Sequence, residues 1–132
     1  MDLVHYYQLT GDRKAWPILE RLAPYLARGL TAAGAGRYDC AHATPEVIYY
    51  TGAIAQALSQ ATALGIGDFR SLADCAFQRV LSQQCADGSF QFYSAANYGV
   101  FSDRRSYPRY LAMTLNHLLR EYQTQAAFGQ MV

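Results

Sequence analysis

Two stretches of the chain are apolar around nearly the whole helical circumference, and three others are apolar along one stripe or in a short run. Between Val47 and Leu58 only Thr51 and Gln56 are clearly polar, and Tyr110 to Leu119 is similarly continuous. Helices patterned in this way are enclosed by neighbours on most sides. The segment from Trp16 to Leu30 instead places Ile18, Leu19, Leu22, Tyr25, Leu26 and Leu30 on one stripe and Glu20, Arg21 and Arg28 on another. From Asp68, one face carries Phe69, Leu72, Ala73, Ala76, Phe77, Val80 and Leu81, while Arg70, Asp74, Gln78 and Arg79 trace the other. Both spacings predict amphipathic helices. A short apolar and aromatic run, Leu3 to Leu9, precedes them.

Turn and cap residues set the expected boundaries. Thr10-Gly11-Asp12 closes the first helix and caps the next. Pro17 suits a first turn, whereas Pro24 is expected to kink or divide the second helix, and Gly34-Ala35-Gly36 to end it. Thr44 as N-cap, Pro45 at the first helical position and Glu46 beside the positive end of the dipole predict a third helix from Thr44 to about Leu64. Gly65 and Gly67 end that helix, and Asp68 caps the fourth. After Asp87-Gly88-Ser89 comes a long loop in which Ser89 to Tyr93 fits a short strand. Ser106 as N-cap and Pro108 in the first turn start a last helix, Tyr107 to Tyr122, with a frayed tail from Gln123.

The expected fold class is therefore all-α: antiparallel helical hairpins in one domain over residues 1–132, ordered buried, amphipathic, buried, amphipathic, buried. Gly11-Asp12 recurs as Gly67-Asp68, and Pro45 recurs as Pro108, which reads as a degenerate repeat of about sixty residues. Inner helices then share a centre that outer helices shield from water.

Composition changes this picture in one respect. At 132 residues the chain suffices for a single core, but only 16% of it is charged, well below the usual quarter, so part of the surface is expected to face protein or ligand. A net charge of +1, with one lysine and ten arginines scattered along the chain, gives no field to attract nucleic acid or an anionic membrane. No long apolar run or signal-like N-terminus is present, so a cytoplasmic setting is the default expectation. Cys40, Cys75 and Cys85 are odd in number and irregularly spaced, as reduced thiols are.

The run Ala76 to Phe90, in which Gln83-Gln84 ends a helix and Asp87-Gly88-Ser89-Phe90 turns into an aromatic, resembles a QW-type repeat of terpenoid cyclase and protein prenyltransferase toroids. Phe90 stands where that repeat prefers tryptophan. The turn Leu9-Thr10-Gly11-Asp12 into Trp16 is similar to the links in α/α-barrel carbohydrate enzymes. The resemblance implies a partial α/α toroid of about two and a half hairpins, whose ring is open, completed by other subunits, or missing its N-terminal part. The cyclases' aspartate-rich protonation motif is absent, and Asp39, Cys40 and His42 lack the prenyltransferase zinc spacing, so a terpenoid-type function ranks third.

Candidate chemistry falls in two loops. Asp39, His42 and Glu46 cluster where a buried helix begins, as acid or base candidates; alternatively Asp39 caps, Cys40 packs and Glu46 answers the dipole. Tyr107 joins them as a proton-transfer candidate, beside Arg104, Arg105 and Arg109 as anion-binding forks and Tyr93 and Tyr98 as stacking surfaces. That set fits a carbohydrate or other polyhydroxylated, anionic substrate; the plainer reading is an ion pair of Asp103 with Arg104 or Arg105 and an aromatic loop packed on the helices. The rival function is a noncatalytic helical-repeat module for interaction or self-association. No metal is expected, since the spacing of Asp39, Cys40, His42 and Glu46 matches no strong ligand motif, and no cofactor, since Gly34-Ala35-Gly36 is too short for a phosphate loop and follows a helix. Tyr49, Tyr50, Tyr110 and Tyr122 either line or fill a central cavity, and His117 is expected to be buried with a satisfied hydrogen bond.

Overall fold

A computed structural model describes residues 3–39, 41–42, 44–94, 97 and 104–129. The chain is all-α: α1 (Leu3–Thr10), a 3-10 turn (Arg13–Ala15), α2 (Trp16–Ala27), α3 (Ile48–Ala63), α4 (Arg70–Leu81) and α5 (Pro108–Gly129). Among the described residues no helix is long and apolar enough to cross a membrane.

α3 is the central rod that its all-round apolar pattern predicts. It packs against α2, α4 and α5, and Thr51, Gly52, Ala55, Gln56, Leu58 and Ala61 are all buried on it. α4 runs antiparallel to it, because the Phe69 amide at the start of α4 donates to Thr62 Oγ1 near the end of α3. α5 runs parallel to α3: Tyr49 stacks on Tyr110 at their starts, and Gln56 meets His117 two turns further on. The core forms where Ala55 and Leu58 meet Ala73, Ala76 and Phe77, alanines allowing the helices to approach closely while Phe77 and Leu58 supply the apolar volume. Ile48, Val80 and Phe90 form a second cluster nearer the starts of α3 and α5.

The turns after α2 and α4 have one geometry. Leu30 bridges Gly36 and Gln84 bridges Phe90. The Thr31 amide donates to Ala35 O and the Cys85 amide to Ser89 O, each at 2.8 Å. Gly34 and Gly88 take the left-handed conformation that closes each turn. α2 and α4 each have twelve residues, and each follows a left-handed glycine, Gly11 or Gly65. The partner of Gly11 is thus Gly65, not the expected Gly67.

Several local expectations are corrected. α3 begins at Ile48 with Val47 as a cap that makes no side-chain bond, so neither Thr44 nor Pro45 starts it, and the Thr44–Pro45 peptide bond is cis. Ser89 to Tyr93 forms isolated bridges, Gln84 to Phe90 and Val47 to Tyr93, and not the expected strand. Ser106 Oγ donates to the Phe90 carbonyl instead of capping α5. The tail expected to fray from Gln123 remains helical to Gly129. Pro24 lies inside α2 without ending it. On α1, expected to be buried, only Val4 is. α5 is enclosed on one side only, since Leu115, Leu119 and Tyr122 are 56%, 52% and 73% exposed.

Candidate functional site

Rings from four separate parts of the sequence come together around the starts of α3 and α5. Tyr49 and Tyr50 lie in the first turn of α3 and Tyr110 in the first turn of α5, so the parallel packing of the two helices stacks Tyr49 on Tyr110 with centroids 4.7 Å apart. Phe92 fits beside them, 4.6 Å from Tyr110, and Tyr93 and Tyr107 meet its edges at 4.7 and 5.7 Å. On the other side, Tyr50 touches Tyr49 at 4.5 Å and leads to exposed Tyr38 at 6.4 Å. The arrangement is a continuous row of half-buried aromatic faces across one end of the molecule.

Backbone bonds hold Phe92 in that row. Its amide donates to Arg105 O and its carbonyl accepts from the Ile48 amide. Asn97, buried with Ser94, completes the anchor: the Glu46 amide donates to Asn97 Oδ1 at 2.9 Å, and Asn97 Nδ2 donates to Glu46 O at 2.7 Å. Sequence reasoning singled out neither Ser94 nor Asn97. Their signal is a pair of small polar residues inside an otherwise aromatic loop, a type that stays buried only when hydrogen-bonded.

The expected site residues divide among four places. Tyr107, Arg105 and Arg109 gather at the aromatic row, with the Arg105 guanidinium 5.3 Å from the Tyr107 ring centroid. Tyr93 and Arg104 also border a groove of about 300 Å³ beside Gln83, Gln84 and Cys85. Asp39 and His42 form their own pair on an exposed turn, with His42 Nδ1 2.9 Å from both carboxylate oxygens. Asp39 also accepts from the Ala41 and His42 amides. The His42 hydrogen bond, followed by these amides, holds the Asp39 carboxyl below the usual carboxylate range. Tyr98, Cys40 and Asp103 lie outside the described residues.

Glu46 is held in a buried ion pair, away from Asp39 and His42. Its side chain is 6% exposed and bidentate to Arg79, whose Nε and Nη2 donate to the two carboxylate oxygens at 3.0 and 2.6 Å. Each oxygen carries one guanidinium N–H, and the burial of the side chain keeps solvent from it. The alternative role beside a helix dipole falls, because α3 starts two residues later. His117, expected to be buried, is half-buried, with Nδ1 3.4 Å from Gln56 Oε1. Tyr122 faces solvent, away from any centre. Cys75 and Cys85 carry free thiols.

The Tyr49 phenol is raised above its ordinary value of 10.0, first by burial, then by its hydrogen bond to Tyr50 and by the charges of Tyr50 and Tyr110, with Arg109 opposing. A folded-state pKa above the unfolded one favours the fold below about pH 10 and withdraws that contribution as pH rises through the raised value. Tyr49→Phe, which keeps the ring and removes the titration, should therefore lose less stability than the wild type between pH 8 and about pH 11. Urea midpoints at the two pH values measure this; equal losses would place the phenol in ordinary solvent.

Comparison of the chain with models of known protein families, with curated proteins and with solved structures finds no match.

Proposed function

We propose that this chain is an α/α-toroid-type domain that binds a polyhydroxylated, anionic ligand, a saccharide carrying acidic groups, across the aromatic row where α3 and α5 begin. The observation that carries the reading is the juxtaposition of that row with Arg105 over Tyr107 and Arg109 beside the Tyr49 phenol. Aromatic faces stack on sugar rings, and guanidinium forks bind carboxylate or sulfate in two-pronged fashion. The toroid part of the reading is supported by parallel α3 and α5, an antiparallel α4 between them in sequence, and the matching turns after α2 and α4. Where chemistry follows binding, Tyr107 is the proton-transfer residue within the row, and His42, oriented by Asp39, is the other.

Calorimetric titration with neutral and uronate-bearing oligosaccharides tests this. Acidic oligosaccharides should bind, and Tyr107→Ala or Arg105→Ala should weaken that binding at least about tenfold, the loss expected for about 1.4 kcal/mol. Absence of any saccharide binding at millimolar concentration would remove the proposal.

A second reading has its own observation. Leu115, Leu119 and Tyr122 recur at helical spacing on the open side of α5, and an exposed apolar stripe of this kind favours an interaction or self-association module. Light scattering distinguishes it: a stable oligomer that Leu119→Glu turns into a monomer supports this reading, and a strict monomer opposes it.

A further inference from the structure

A cleft of about 450 Å³ lies between the end of α2, the middle of α3 and the turn that follows α2. Its volume is within the range of small-molecule sites, roughly 300–1,000 Å³. Leu26 and Ile54 line it with apolar surface, Tyr25 and Arg28 belong to one side, and Arg37 and Asp39 to another. The fold creates this pairing of arginines from residues nine positions apart in sequence: Leu30 bridges Gly36, and the Arg37 amide donates to Gly29 O at 2.7 Å. The turn therefore carries Arg37 back beside the end of α2, where Arg28 sits.

Neither guanidinium has an acidic partner among the described residues. The nearby carboxylate, Asp39, is turned into its own loop, where two amides and His42 occupy it. Arg28 lies 5.5 Å from the Tyr25 ring centroid, an arrangement that restrains its planar fork. The last carbonyls of α2 do not compete for the arginines, because the Arg28, Gly29 and Leu30 amides bond to Pro24, Leu26 and Ala27 carbonyls. What the cleft offers is two unneutralised forks above an apolar floor with an aromatic face at its rim.

We infer that this cleft is a binding site for a ring-bearing carboxylate, a sugar acid whose carboxylate is held between Arg28 and Arg37 while its ring rests on Leu26, Ile54 and the Tyr25 side. The two forks satisfy the oxyanion that would otherwise leave them solvated, and the apolar floor accepts the carbon face of a pyranose. The inference rests on the saccharide reading for the ligand's sugar body, but it places the acidic group at a subsite that the aromatic row does not include.

Amide NMR titration of the full chain with D-glucuronate, D-glucose and inorganic sulfate tests it. Glucuronate should shift the Gly29, Arg37 and Ile54 amides saturably, with sulfate competing weakly and glucose leaving them unmoved. Arg28→Gln and Arg37→Gln should each weaken glucuronate at least about tenfold, and Arg37→Lys, which keeps charge but loses the fork, should restore binding in part. Both arginines are peripheral to the core, and an unchanged amide spectrum outside the cleft verifies that each variant is folded. Equal affinity for glucose, or no loss in either glutamine variant, would overturn the inference. Shifts confined to Tyr49 and Tyr107 would remove the cleft and leave the aromatic row standing. Cleft shifts that survive with unchanged affinity in Tyr107→Ala would support a cleft that binds independently of the row.

Discussion

Arg79→Met is expected to lower the unfolding free energy by about 3 kcal/mol and the melting temperature by roughly 10 °C. The reason lies in what the substitution leaves behind. Glu46 is 6% exposed, and both of its carboxylate oxygens are held by Arg79. Without the guanidinium, a carboxylate remains out of water with no counter-charge, and breaking a buried pair costs about 3–5 kcal/mol. The lower end applies because Arg79 itself is 28% exposed and water can partly replace it. Adding Glu46→Leu to Arg79→Met should recover most of the loss, since an apolar pair of similar size needs no counter-charge. Urea denaturation of the single and double variants measures both effects, and a single-variant loss below about 1 kcal/mol would mean the pair behaves as a surface salt bridge.

Gly34→Ala should cost as much, by a different route. Gly34 has φ +76°, and an added Cβ would come within 2.8 Å of the Cys75 carbonyl carbon and oxygen, backbone atoms of α4. The left-handed conformation costs an alanine about 1–2 kcal/mol, and the forced separation of the turn from α4 adds about 1–3 kcal/mol. Gly88 occupies the matching turn at φ +85° but meets nothing closer than 4.0 Å, the flexible end of Gln84. Gly88→Ala should therefore pay the conformational term alone, about 1–2 kcal/mol. Comparison of the two urea midpoints is the measurement, and equal losses would show that the Gly34 turn does not abut α4.

The aromatic row was legible as a list of rings but not as a site. Tyr49, Tyr50, Tyr93, Tyr107 and Tyr110 stand out in any reading of the chain, yet what stacks Tyr49 on Tyr110 is the parallel register of α3 and α5, which no local pattern encodes. The pairing of Arg28 with Arg37 is hidden in the sequence for the same reason. Each is an ordinary surface arginine in one dimension, and only the Leu30 to Gly36 bridge sets the turn that brings them to one cleft. Glu46 misled because its local signal was sound: an acid after Thr-Pro belongs in a first helical turn. Its partners Arg79 and Asn97 are 33 and 51 residues away, and together they outweigh a cap worth about 1 kcal/mol.

By itself the amino-acid order determined the elements that depend on short-range periodicity and stereochemistry. α4 buries Ala73, Ala76, Phe77 and Val80, the positions its 3.6-residue pattern marks, and Asp12 accepts from the Lys14 amide as an N-cap should. Tertiary structure alone decided which apolar faces found a neighbour. α3 and α5 carry nearly the same all-round pattern, but α3 lies between α2, α4 and α5, whereas the far side of α5 remains open. Hydrophobic periodicity states how much surface a helix would gain by burying; whether another helix is there to cover it is a property of the whole chain's packing.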